Sequence, residues 1–175
     1  MKGKGAPDQA AALRAVEKRF GEFKKTLCEL VRVPGVSAAG FPADDLRHSA
    51  MVPAEVLRRL GVENVALLDL PGVPPYVYGD WLHAPGAPTV LVYGHHDVVP
   101  PGPAEKWTSP PFVPVERKGR LHGRGTADDK GGLLAWVAAA SAYLGAAGRV
   151  PVNLKFLIEG EEEVGSTNLP SFLER

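Results

Sequence analysis

Several features that would narrow the function of a protein are scarce in this sequence. Its 175 residues include a single cysteine, Cys28, so no internal disulfide can form. Lys and Arg together number 20, as do Asp and Glu, and the resulting net charge of zero gives no long-range field to attract nucleic acid or an anionic membrane. This balance favours a small-molecule partner and predicts no nucleic-acid binding.

Long apolar segments are also lacking. Proline, glycine or charged residues interrupt every hydrophobic run before the roughly 20 residues that a membrane-spanning helix needs. The start of the chain, MKGKGAPDQAAALRAV, has no apolar segment of the kind that a signal peptide contains. These two features and the single cysteine predict a cytoplasmic protein that makes no membrane contact.

What the sequence does contain is typical of a globular α/β domain, with 45% hydrophobic and 23% charged residues. Residues 1–8 are predicted to be a flexible start, and residues 9–175 to belong to one domain. The alternation of strand and helix patterns predicts a parallel or mixed sheet with flanking helices. Helices are predicted over 9–33, 50–60, 128–148 and from 168 onward, and strands over 63–70, 76–83, 88–95 and 152–158, with one more short strand in RKGRLHGRG.

Polar residues cluster at three places where a predicted strand or loop ends. The clusters are HHD at 95–97, TADD at 126–129, directly before an alanine-rich helix with a predicted acidic first turn, and EGEEEVGS at 159–166. Each alone has an ordinary explanation, as a polar strand end, a helix cap or a solvated run of glutamates. Because strand ends of α/β sheets gather at one edge, the clusters together predict crowded carboxylates that a metal cation would offset.

Side-chain alternation separates the two neighbouring histidines. In an extended segment His95 and Asp97 project to one side and His96 to the other. His95 can bind a metal ion through one ring nitrogen while a carboxylate, such as that of Asp97, holds the other nitrogen. We expect His96 to pack or hydrogen-bond elsewhere.

The strings YGHHDVVP, EKWTSPPF, LHGRGTADDKGG and FLIEGEEEVGS carry a family resemblance. In that order and spacing they resemble the dinuclear zinc metallopeptidases and amidohydrolases that include carnosinase, bacterial dipeptidases, aminoacylase and succinyl-diaminopimelate desuccinylase. The resemblance covers nearly the whole chain, and the DDKG string leans towards the dipeptidase and carnosinase branch. It implies a hydrolase of amide or peptide bonds in dipeptides or N-acyl amino acids, with a homodimeric full-length form.

Carried over position by position, the resemblance implies a role for five residues. His95 binds one metal ion, Asp128 bridges two, and Glu163 binds the other. Asp97 supports His95, and Glu162 is the general base. The implied cofactors are two divalent metal ions. Zinc is the expected metal, although manganese and cobalt suit the same ligand types. We expect these side chains to converge on one cleft at the C-terminal edge of the sheet.

The resemblance also makes a prediction about the loop that holds Asp128. The peptide bond between Asp128 and Asp129 is expected to be cis. Gly123, Gly125 and Gly131 are expected to relieve crowding around it, since glycine has no side chain.

To complete the two metal sites, the family also needs another Asp and a distant His, and it has an inserted lid domain used in substrate binding and dimerisation. Residues 1–175 do not include these parts. The chain is therefore expected to be the amino-terminal part of a catalytic domain, with incomplete metal sites and little activity alone. Two alternatives stay open. One is a non-catalytic truncated product or binding module that keeps the fold. The other is a different metallohydrolase, such as a phosphoesterase, although no basic cluster is placed to hold a phosphate.

Overall fold

The computed structural model describes residues 9–174, so the predicted flexible start at 1–8 lies outside the described residues. Two helices open the described part of the chain, five strands follow, and helices and strands alternate only after them. In chain order the elements are α1 (Gln9–Val31), α2 (Ala43–Arg59), β1 (Glu63–Leu70), β2 (Val73–Trp81), β3 (Thr89–His95), β4 (Val115–Arg117), β5 (Arg120–His122), α3 (Lys130–Ala147), β6 (Asn153–Glu159) and α4 (Leu169–Leu173). Short 3-10 turns occupy Ala104–Lys106 and Glu162–Val164.

A four-stranded mixed sheet with the strand order β1-β2-β6-β3 forms the centre of the molecule. β2 runs antiparallel to both β1 and β6, whereas β3 and β6 are parallel. Helix α3 connects the two parallel strands, so the predicted βαβ unit is present and the predicted fold class is confirmed. The parallel register places His95 beside Glu159 at the ends of β3 and β6. Two of the three polar clusters therefore begin side by side.

The hydrophobic core lies between the sheet and helices α1, α2 and α3. Phe156 and Ile158 of β6, Val77 of β2 and Leu57 of α2 are fully buried in it. Each such side chain contributes about 1.5–3 kcal/mol through its removal from water. Within residues 9–174, no helix is long and apolar enough to cross a membrane.

Two elements begin earlier than the sequence predicts. Helix α2 starts at Ala43 rather than at residue 50, and Asp44 and Asp45 in its first turn complement the positive end of the helix dipole. Strand β2 starts at Val73 and includes two prolines. Prolines are tolerated there because pairing with β6 begins only at Val77, so their missing N–H groups face no partner strand on that side.

The short strand predicted in RKGRLHGRG is present as β5, and the structure adds a partner strand, β4, that was not predicted. Strands β4 and β5 pair antiparallel, and Lys118 and Gly119 connect them with φ angles of 51° and 74°. Positive φ at both central residues is what a tight two-residue hairpin turn requires. The hairpin precedes the loop that leads to Asp128.

Candidate metal centre

Three side chains with metal-binding atoms lie together at the carboxyl edge of the sheet. His95 ends β3, Asp128 lies in the loop before α3, and Glu163 lies in the 3-10 turn after β6. One possible ligand atom from each lies within 4.8 Å of the other two, and no second group of this kind is found among residues 9–174. The Asp128 side chain is 78% exposed, whereas that of His95 is 6% exposed. The donors therefore border an open cleft that has a buried imidazole at its base.

Oxygen atoms contact both ring nitrogens of His95. Nδ1 lies 3.1 Å from the carbonyl oxygen of Asp97 and 3.3 Å from its Oδ1, and Nε2 lies 3.0 Å from Oδ1 of Asp128. Burial lowers the pKa of His95, but the contacts with Asp97 and Asp128 more than offset this and raise it to about 9. Because a carbonyl oxygen can only accept, Nδ1 carries a proton. Nε2 is then the nitrogen that can exchange its proton for a divalent cation shared with Asp128.

Asp97 connects the end of β3 to the turn after β6. Its carboxylate is fully buried and accepts hydrogen bonds from the backbone N–H of Glu162 at 3.3 Å and of Glu163 at 3.1 Å. Burial by itself would raise the pKa of Asp97, but the hydrogen bonds from His95 and from the Glu163 backbone hold it below the ordinary value. The contact with His95 matches the support that the resemblance implies. The contacts of Asp97 with the backbone N–H groups of Glu162 and Glu163 were not predicted from the sequence.

The Glu162 side chain faces the same cleft. Its Oε2 lies 3.8 Å from Nε2 of His95, and the side chain is 43% exposed. Burial, and then the nearby Asp128 carboxylate, raise the pKa of Glu163. The structure thus brings together His95 and the four acidic residues that the sequence singled out with it, and their carboxylates lie close enough to raise the pKa of Glu163.

His96 faces away from the cleft, as predicted. Its ring is almost fully buried, with Nδ1 at 2.7 Å from Oγ of Ser49 and Nε2 at 3.0 Å from the carbonyl oxygen of Pro75. Burial lowers its pKa to about 4, so the ring is neutral at ordinary pH. Since the Pro75 oxygen can only accept, Nε2 donates to it and Ser49 donates to Nδ1. His96 is therefore a structural connection between β3, α2 and β2.

The loop before α3 has the predicted backbone geometry. The peptide bond between Asp128 and Asp129 is cis. Helix α3 begins at Lys130, so both aspartates precede it, and the predicted acidic first turn is wrong. The carboxylate of Asp129 is instead 3.4 Å from the backbone N–H of His95. Asp129 thus contacts the backbone of His95, whereas Asp128 contacts its ring.

Glycines make room for this loop, as predicted. A Cβ atom at Gly131 would lie 2.2 Å from the carbonyl oxygen of Thr126, and one at Gly123 would lie 2.8 Å from a methyl group of Val31. Gly125 has a φ of +82°, which side chains rarely adopt. The backbone around Asp128 therefore has little space for any larger residue.

Sequence reasoning missed two buried ionisable residues next to the site. Lys130 is 3% exposed and its Nζ donates to the carbonyl oxygens of Leu30 at 2.9 Å and Val33 at 2.7 Å, at the end of α1. Glu159, the last residue of β6, is also fully buried. Their positions in the sequence could have predicted this burial, because Glu159 directly extends the apolar run VNLKFLI and Lys130 is the first residue of an apolar helix.

Comparisons with known proteins identify the family to which this geometry belongs. Residues 91–175 match the model of "Peptidase family M20/M25/M40". Human Beta-Ala-His dipeptidase is 38% identical over 166 residues, which are 88% of this chain and 32% of that protein. Succinyl-diaminopimelate desuccinylase from Xylella fastidiosa strain 9a5c is 51% identical over 81 residues, which are 46% of this chain and 22% of that protein.

A solved structure gives the same result for the fold. The crystal structure of human carnosine dipeptidase 1 superimposes with a TM-score of 0.85 and 34% identity, over 97% of this chain and 38% of that chain. The chain thus spans about a third of the length of the dipeptidases it matches. Motifs, fold and comparisons agree with the resemblance stated from the sequence. This chain carries a domain of peptidase family M20/M25/M40.

Proposed function

We propose that the complete protein is a metal-dependent hydrolase of amide or peptide bonds that acts on dipeptides or N-acyl amino acids. The observation that carries this proposal is the convergence of His95, Asp128 and Glu163 within 4.8 Å, with the Glu162 carboxylate beside them. The family supports the reaction class. The names of the two relatives, a dipeptidase and a desuccinylase, support both substrate classes and leave the choice between them open.

The donor atoms suit divalent transition metals. One imidazole nitrogen and two carboxylates are ligands that zinc accepts, and manganese and cobalt accept them as well. As the resemblance implies, His95 and Asp128 would hold one ion, and Asp128 and Glu163 would hold a second.

Each ion would then have two protein ligands from this chain, whereas a catalytic zinc usually has three and a water molecule. We propose that this domain is the amino-terminal part of a catalytic domain, and that residues outside it complete the two sites. A lid and dimerisation domain would also lie outside it. The coverage of about a third of the related dipeptidases supports this division. The homodimeric assembly and the cytoplasmic location stay predictions.

In the proposed reaction Glu162 moves the proton. Its half-exposed carboxylate takes a proton from the attacking water and passes it to the leaving amine. The bound divalent ions would supply Lewis acidity, polarising the scissile carbonyl and lowering the pKa of that water. Asp97 orients the site, because its buried carboxylate holds the His95 ring and the backbone of Glu162 and Glu163 simultaneously.

Replacing Glu162 by Gln in the complete protein tests this proposal. We expect dipeptide hydrolysis to fall by about 100-fold or more, as is typical for loss of a general base, while zinc affinity stays within a few-fold. Glu105→Gln, a change at an exposed glutamate in the loop after β3, is the matched control and should leave both unchanged. Full activity in Glu162→Gln would contradict the role of Glu162.

The same assays separate the alternatives. Turnover of a phosphomonoester without turnover of dipeptides would favour a phosphoesterase. A complete protein that takes up no metal and hydrolyses neither substrate would favour a non-catalytic module.

A further inference from the structure

We propose that Glu159 is a positioning residue that holds the turn carrying Glu162 and Glu163 in the orientation needed for metal binding and proton transfer. Its role in hydrolysis rests on the proposed function. Its effect on metal binding can be measured independently.

The contacts of Glu159 close the turn into a loop. Its Oε1 accepts a hydrogen bond from the hydroxyl of Ser166 at 2.8 Å, and another from the hydroxyl of Tyr93 on the neighbouring strand β3. Glu162 and Glu163 lie between Glu159 and Ser166 in the chain. The carboxylate therefore connects both ends of the segment that bears the two functional glutamates, and it fixes that segment to β3.

Backbone hydrogen bonds within the turn connect Ser166 and its neighbour Gly165 to the residues that bear the functional side chains. The N–H of Ser166 donates to the carbonyl oxygen of Glu161 at 3.0 Å, and the N–H of Gly165 donates to that of Glu162 at 2.9 Å. On the opposite side of the turn, Asp97 accepts from the N–H groups of Glu162 and Glu163. Asp97 and Glu159 thus hold the turn from two sides, and the buried Glu161 carboxylate accepts further hydrogen bonds from the backbone N–H and the side-chain amide of Asn168.

The unpaired oxygen of Glu159 argues against a role in packing alone. Its side chain is fully buried, and Oε2 has no hydrogen-bond partner among the described residues. A buried acceptor without a partner lowers the stability of the fold, so filling space alone does not account for a carboxylate at this position. The other oxygen, Oε1, accepts the hydrogen bond from Ser166 on the turn, which is the expected arrangement for a residue that orients other side chains.

The central test compares Glu159→Leu with Glu159→Gln in the complete protein. Leucine has no acceptor for Ser166, whereas glutamine retains one carbonyl oxygen. We expect Glu159→Leu to lower kcat for a dipeptide about 10-fold or more with little change in KM, and to weaken Co²⁺ binding by about 10-fold with an altered visible spectrum. Glu159→Gln should restore both values to near those of the unchanged protein.

A second pair of variants gives an answer if Glu159→Leu does not fold. Ser166→Ala and Tyr93→Phe each remove one hydroxyl that donates to the same oxygen, but only Ser166 lies on the turn. We expect Ser166→Ala to reproduce the losses of kcat and Co²⁺ affinity, and Tyr93→Phe to have a clearly smaller effect. Equal effects of the two would overturn the proposal.

The remaining outcomes are distinguishable. A folded Glu159→Leu or Ser166→Ala variant with a lower unfolding temperature but unchanged kcat and Co²⁺ affinity would show a purely structural role and overturn the proposal. If the unchanged protein hydrolyses no dipeptide or N-acyl amino acid, the proposed function fails, and the difference in Co²⁺ affinity between the variants still decides the role of Glu159.

Discussion

His95 and His96 are neighbours in the chain but have opposite electrostatic surroundings. Burial lowers the pKa of both rings, but contacts with oxygens of Asp97 and Asp128 raise that of His95 to about 9, whereas burial dominates at His96 and lowers its pKa to about 4. One ring is therefore suited to hold a cation and the other to stay neutral inside the fold. Strand alternation, which was readable from the sequence, is the reason for this division.

Removal of the Ser49 hydroxyl should destabilise the protein through His96. Ser49→Ala leaves Nδ1 of the buried His96 ring without its 2.7 Å hydrogen bond, which should lower the free energy of unfolding by about 1–3 kcal/mol. Urea denaturation measures this change. Ser171→Ala, at an exposed position of α4, is the control and should have almost no effect. Equal stability of the two variants would show that the His96 contact contributes nothing.

Lys130 gives a pH dependence whose sign can be stated. Burial lowers its pKa to about 8 in the folded protein, from an ordinary value of 10.5. Between these two values the unfolded chain holds more protons, so the contribution of Lys130 to the free energy of unfolding increases as pH rises from about 8 to 10.5. The total gain is on the order of 3 kcal/mol, because each pKa unit of difference corresponds to about 1.4 kcal/mol.

Comparison with Lys130→Met isolates this contribution from the tyrosines that titrate at higher pH. We expect the difference in unfolding free energy between the unchanged protein and the variant to shift in favour of the unchanged protein over that pH range. Denaturation curves recorded with a chelator present measure it. A constant difference between pH 7.5 and 10.5 would contradict the lowered pKa.

At the scale of elements, helix α3 contains three glycines, and two of them, Gly131 and Gly145, have opposite requirements. Alanine normally stabilises a helix relative to glycine by about 1 kcal/mol. At Gly145 nothing lies within 4 Å of an added Cβ, whereas at Gly131 that atom would lie 2.2 Å from the backbone oxygen of Thr126. The two positions therefore form a matched pair within one helix.

We expect Gly145→Ala to raise the thermal unfolding midpoint slightly and Gly131→Ala to lower it by several degrees and weaken zinc binding, because the loop holding Asp128 must move. Circular dichroism melts and a zinc titration measure both effects. A Gly131→Ala variant as stable as Gly145→Ala would mean that the loop has more room than the structure shows.

The sequence predicted the elements that have strong periodicity and missed those that depend on tertiary contacts. The apolar runs of β3 and β6 and the alanine-rich helix between them were sufficient to predict the βαβ unit and the edge where His95, Asp128 and Glu163 meet. The early start of β2 was not predictable, because whether its prolines are tolerated depends on where β6 begins to pair. Similarly, the buried partners of Glu159 come from elements distant in sequence, and no local pattern identifies them.

At the scale of the whole molecule, the net charge of zero conceals a local excess of negative charge. The carboxyl edge of the sheet collects Asp97, Asp128, Asp129, Glu159, Glu161, Glu162 and Glu163. The pKa values of Asp129, Glu159 and Glu163 are all raised, by burial first and further by neighbouring carboxylates. Such crowding makes a divalent cation a stabilising partner for the fold, since binding to the folded state alone shifts the unfolding equilibrium.

The central claim is that one carboxylate, Asp128, serves both proposed ions, and a calorimetric zinc titration of the unchanged chain and of Asp128→Asn tests it most directly. We expect the unchanged chain to bind zinc weakly, because it offers two protein ligands for each ion. Asp128→Asn should lose binding altogether, while Asp44→Asn, an exposed substitution on α2, should bind as the unchanged chain does. Zinc binding by Asp128→Asn that matches the unchanged chain in affinity and stoichiometry would contradict the account.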